Sequence, residues 1–115
     1  MSKLLPIIII FTGETFAILS EIIGAKAFGI NNNAFLKTFI RVIPIMLLGS
    51  ILLVAGYMLG LKNFKNIWIV SVVSFTSILI AEPITNYTIT RQLPTKGALI
   101  GLIFGVLGFI AALFL

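Results

Sequence analysis

An all-α integral membrane protein, with four transmembrane helices joined by short loops, is the fold class this chain predicts, on three observations. Hydrophobic residues make up 60% of it and charged residues only 10%, with a mean hydropathy of +1.24, far from the balance of a soluble globular domain. The apolar residues come in runs and do not alternate in strand fashion, which argues against a barrel. At about 20 residues per span, 115 residues leave room for four helices and their turns but for no separate soluble domain. The expected spans are approximately 4–28, 42–61, 67–90 and 97–115, forming one domain over 1–115.

The first span opens with Pro6 in its first turn, where the missing N–H is harmless. Residues 11–27, FTGETFAILSEIIGAKA, then place Glu14 and Glu21 inside the apolar stretch. Lys3, the apolar run and Ala25-Lys26-Ala27 have the outline of a signal peptide, but the two glutamates interrupt its apolar region, so a retained span is expected. Seven residues is nearly two helical turns, so both carboxyls project from one face, roughly 10 Å apart along the axis. Beside them runs a strip of small residues, Gly13, Ala17, Ser20 and Gly24, of the kind that lets helix backbones approach closely in lipid.

Gly29-Ile30-Asn31-Asn32-Asn33 reads as a turn. Residues 35–41 form a basic, aromatic approach to the second span, whose twenty residues Val42 to Leu61 carry no charge. Pro44 lies near its start and Gly49, Gly56 and Gly60 along it, which marks a packing helix with Tyr57 as its one strongly polar handle. After the basic turn at residues 62–66, the third span begins at an interfacial Trp68. Residues 67–81 are too short to cross upright, so the helix either stops at Glu82 or continues through Pro83 to Thr90. Length favours continuation. Ser71, Ser74, Ser77, Thr85 and Thr88 then offer polar groups to an aqueous path, although serines of this kind more commonly pack helices. The fourth span carries no charge, and Gly97, Gly101, Gly105 and Gly108 form a ridge suited equally to intramolecular packing and to a dimer seam.

A net charge of +5 does not point to nucleic acid, because the eight bases are scattered at the ends of the apolar runs. Lys3, Lys62 and Lys65 fall on one side of the membrane and Lys26, Lys37, Arg41, Arg91 and Lys96 on the other, a three-to-five division that barely fixes orientation. With neither cysteine nor histidine, disulfides, thiolate metal sites and the commonest metal ligand are excluded, and no metal or cofactor is expected. No phosphate loop or catalytic constellation accompanies the acids, so an enzyme is not expected, and no selectivity filter points to a channel.

What remains is the position of Glu14, Glu21 and Glu82 within or beside the spans. A charged carboxylate near the bilayer centre costs on the order of 2.5 to 3.5 kcal/mol. Such groups line cavities, pair with bases or carry protons. Burial disfavours the charged form of a carboxyl, so an intramembrane acid can hold either a proton or a cation.

Leu19-Ser20-Glu21-Ile22-Ile23-Gly24 is similar to the first-helix signature of the small multidrug resistance family, within the drug/metabolite transporter superfamily. Arg91-Gln92-Leu93-Pro94-Thr95 followed by Gly97, Gly101 and Gly105 resembles the third loop and fourth helix of that superfamily, and Ile67-Trp68 is a fainter match. The resemblance implies a multi-pass protein of a cell membrane, the prokaryotic inner membrane. It would act as a homodimeric, proton-coupled exporter of small or hydrophobic cations, with a membrane glutamate as coupling site. Local motif assigns that role to Glu21, whereas depth in the helix assigns it to Glu14. Glu82, Tyr57 and Trp68 are further candidates for contact with substrate or protons. Two alternatives stand beside this reading. One is a half-sized transporter of a lipid-linked sugar or metabolite, paired with another small subunit. The other is a structural or assembly subunit whose glutamates pair with Lys26, Arg41 or a partner's bases.

Overall fold

The computed structural model describes residues 4–115, the side chain of Leu113 excepted. Lys3, one of the expected charge markers, lies outside the described residues. The chain is all-helical, with α1 over Leu4–Ala25, α2 over Phe35–Phe64, α3 over Ile67–Thr90 and α4 over Lys96–Phe114. Leu4–Ile30, Phe35–Phe64 and Ile67–Thr90 are long and apolar enough to cross a membrane, while α4 is a shorter apolar helix of 19 residues.

Helix α3 runs unbroken through Pro83 to Thr90, as its length requires. Its start is fixed by Asn66, whose side chain accepts from the Trp68 N–H at 2.9 Å, and α4 starts in the same way at Thr95, which accepts from the Ala98 N–H at 3.1 Å. Two elements depart from expectation. Gly29 and Ile30 do not belong to the turn: Lys26–Ile30 is a π-helical turn continuing α1, in which the Asn31 N–H reaches back five residues to the Lys26 carbonyl at 3.0 Å. The chain then reverses over the next residues, with Asn32 left-handed at φ 57°. Helix α2 begins seven residues before the charge-free stretch, at Phe35, with Lys37 and Arg41 on exposed positions. Hydropathy marks what lipid tolerates, whereas the backbone ladder continues into the charged segment.

The small residues of α1 and α2 meet in antiparallel register. A Cβ placed on Gly49 would stand 2.9 Å from the backbone nitrogen of Ala17, and one on Gly13 would stand 3.0 Å from that of Leu53. Further along, Gly56 receives Ile10, and Gly60 receives Val70 of α3. Helix α3 lies parallel to α1, its buried face formed by Val70, Ser74, Ser77, Ala81 and Thr85. Ile18 and Ile22 pack there on Ala81. Helix α1 is therefore the centre of the structure, with α2 and α3 against it. Helix α4 is the outlying member, packed on α3, and of its glycines only Gly105 meets a neighbour, the Leu79 side chain. Gly97, Gly101 and Gly108 face open space. The whole is a slab of 45 × 33 × 17 Å.

The far ends of α1 and α3 are joined by Lys26, whose Nζ donates to the Ile89 carbonyl at 2.9 Å. A cation there satisfies a last-turn carbonyl and complements the negative end of the helix. Lys26→Met is expected to lower stability by on the order of 1 kcal/mol. The loss should concentrate in faster hydrogen exchange over the last turn of α3, and unchanged exchange there would refute the role.

Candidate functional site

Glu14 stands at the midpoint of α1, and it is buried, at 9% exposure. The face that puts it there is made by residues four apart, Ile10, Glu14, Ile18 and Ile22, all of them buried between α2 and α3. Ser74 Oγ donates to Glu14 Oε1 at 2.6 Å across the α1–α3 contact. That short distance is typical of a hydroxyl donating to a carboxylate oxygen. No other partner among the described residues reaches the carboxyl. Since no fully buried side-chain oxygen or nitrogen among the described residues lacks a partner, Oε2 keeps some accessible surface.

Ser74 is singular among the polar residues of α3. Thr76, Ser77, Thr88 and Thr90 each donate to a carbonyl four residues back on their own helix. Such bonds satisfy the hydroxyl locally and leave it little to offer a neighbour. Of the serines and threonines expected along a path, Ser74 is thus the one whose bond crosses between helices.

Glu21, two turns further on, has different surroundings. It is exposed, and it lines a cavity of about 290 Å³ between the end of α1 and the beginning of α2. Phe28, Phe35 and Phe39 form much of the wall, with Met46 and Thr38. The rings are ordered against one another: Phe28 meets Phe35 edge to face at 5.4 Å, and Phe35 stacks on Phe39 at 6.1 Å. Phe28 lies in the π-turn and Phe35 is the first residue of α2, so the chain reversal itself brings the rings together.

Glu82 occupies a third place. It is half-buried on α3 and lines a cavity of about 480 Å³ between the C-terminal part of α3 and the N-terminal part of α4. The three glutamates are thus distributed: Glu14 in the α1–α3 contact, Glu21 at the α1–α2 reversal, Glu82 between α3 and α4. Glu14 and Glu21 do not share a cavity: Glu14 is buried against Ser74 of α3, whereas Glu21 is exposed beside the α2 residues that line its pocket.

None of the three has a basic partner among the described residues. Lys26, proposed above as a partner in the assembly reading, is bonded to the Ile89 carbonyl, and Arg41 is exposed. Tyr57 is half-buried on α2 and lines none of the cavities described above, and Trp68 is 77% exposed over a shallow groove between α3 and α4. Neither is brought to a glutamate. The residues that sequence reasoning missed are Phe28, Phe35 and Phe39. Their signal was present in the aromatic spacing around the Asn-rich reversal, but the turn was expected at residues 29–33, of which Gly29 and Ile30 belong to the π-turn.

No family model, curated protein or solved structure matches the chain.

Proposed function

We propose that the protein is a four-span secondary transporter of the small multidrug resistance type, exporting small hydrophobic cations in exchange for protons in a prokaryotic inner membrane. The observation that carries this reading is Glu21: a carboxylate without a basic partner, set in a cavity walled by three phenylalanines. Aromatic faces attract cations through the ring quadrupole, and the adjacent carboxylate supplies the countercharge. A base-free acid beside apolar and aromatic walls suits a lipophilic cation better than a strongly hydrated metal ion.

In this reading Glu14 holds the proton. Its position at mid-helix, its single donor Ser74 and its partly accessible second oxygen suit a group that gains and loses a proton while remaining in place. Both carboxyls belong to α1, so a shift of α1 against α2 and α3 would alter the exposure of both together. Alternating access then exchanges proton for cation. Four helices in a slab offer no opposing wall of their own, and a second copy would supply it.

The test is uptake of tetraphenylphosphonium into proteoliposomes driven by a pH gradient. The wild-type protein is expected to accumulate the cation, and Glu14→Gln and Glu21→Gln are expected to abolish accumulation. Transport that persists unchanged in both variants would remove the glutamates as the coupling site. The outlying position of α4 favours a second reading, a subunit of a larger membrane assembly, and co-purification of a partner of different mass at fixed stoichiometry would favour it over the transporter.

A further inference from the structure

The cavity at Glu82 is built of different material from the one at Glu21. Its lining residues include Asn86, Tyr87, Thr90 and Gln92 beside the apolar Pro83, Leu93, Pro94 and Leu102, with Glu82 two turns before the end of α3. The side-chain amides of Asn86 and Gln92 make no hydrogen bond to the protein among the described residues, and Glu82 has no donor. Thr90 Oγ1 is already spent, donating to the Asn86 carbonyl at 2.7 Å and accepting from the Gln92 N–H at 3.3 Å. The free side-chain hydrogen-bonding capacity therefore sits on one carboxylate, two amides and the Tyr87 hydroxyl, spread along a cavity of about 480 Å³.

The space is maintained by small residues on α4. Ala98 and Gly101 line it, and a Cβ added at Gly101 would meet nothing within 4 Å. The Arg91 guanidinium lies 5.8 Å from the centroid of the ring of Tyr87, one of the lining residues.

We propose that this α3–α4 cavity binds a small polar organic monocation, an ammonium ion carrying hydroxyl or amide groups, with Glu82 as its charge partner and the Asn86 and Gln92 amides as its hydrogen-bonding partners. It is separate from the aromatic pocket at Glu21 and does not rest on the transport reading. The wall chemistry sorts the two sites. Three phenylalanines favour a cation that sheds its water readily, whereas two amides compensate one that keeps polar groups.

The experiment is binding of 2-amino-1,3-propanediol to the purified full chain in detergent, by saturation-transfer NMR, with tetraphenylphosphonium as the apolar counterpart. The amino diol is expected to bind the wild-type protein and Glu21→Gln alike and to bind Glu82→Gln at least tenfold more weakly. Gly101→Phe, which fills the cavity without removing a charge, should weaken it similarly while far-UV circular dichroism shows the helices intact. Absence of binding to the wild-type protein would overturn the proposal. So would wild-type affinity in both Glu82→Gln and Gly101→Phe, or a loss that follows Glu21→Gln instead.

Discussion

Gly49→Leu is expected to destabilise the protein by about 3 kcal/mol, at the upper end of what overpacking costs. The reason is the identity of the atoms a side chain would meet. A Cβ on Gly49 lies 2.9 Å from the Ala17 backbone nitrogen and 3.1 Å from the Gly13 carbonyl oxygen, so no rotamer change relieves the overlap and α1 and α2 must separate. Gly108→Leu makes the contrast, since nothing lies within 4 Å of its Cβ position, and its effect on the monomer should fall within about 0.5 kcal/mol. Both are measured by the midpoint of unfolding in sodium dodecyl sulfate, followed by helical circular dichroism. Equal midpoints for the two variants would mean that the close approach of α1 and α2 does not support the fold. If Gly108→Leu leaves the monomer intact but changes the oligomer seen by crosslinking, the open ridge of α4 is the seam between copies.

The second large effect separates the two carboxyls of α1. Glu21→Gln is expected to weaken tetraphenylphosphonium binding to the detergent-purified protein by about tenfold or more, equivalent to ~1.4 kcal/mol. Glu14→Gln is expected to bind the cation near the wild-type level but to lose the proton released when the cation binds, measured with a pH-indicator dye in weak buffer. The physical basis is their surroundings. Glu21 faces the aromatic cavity and exposes its charge to a ligand, whereas Glu14 is buried against Ser74. Glutamine at position 14 retains an oxygen for the Ser74 hydroxyl, so the interhelical bond survives while the exchangeable proton is removed. Proton release that disappears in Glu21→Gln but persists in Glu14→Gln would exchange the two roles.

Much of the helical plan was legible in the chain because hydropathy and length act locally. Fifteen apolar residues are short for a span, which favoured continuation through Pro83 over a stop at Glu82, and α3 does continue. The mid-helix depth of Glu14 was legible from the apolar stretch around it, but its burial, set against the exposure of Glu21, was not. The small-residue strip of α1 and the glycines of α2 announced a close contact, and they form it. What the pattern did not reveal is what each carboxyl meets: Glu14 is buried against Ser74, while Glu21 is exposed at the aromatic pocket. The spacing of Glu14 and Glu21 places both on one side of α1, but their neighbours depend on how α2 and α3 cross it, which is a property of three helices together. The aromatic cavity was hidden for a related reason, since it depends on the backbone of the reversal as well as on residue type.

That reversal turns on the π-turn at Lys26–Ile30. A π-turn takes up one residue more than an α-helical turn, and each residue of an α-helix advances about 100° around the axis. The direction of Phe28 relative to Glu21 is therefore governed by how many residues the chain uses there, independently of which residues they are. A chain one residue shorter in this turn could keep every aromatic and acidic side chain of the pocket and still face Phe28 away from Phe35. Chain length at the end of α1 is thus a determinant of the pocket's shape in its own right, one that no substitution at the pocket would reveal.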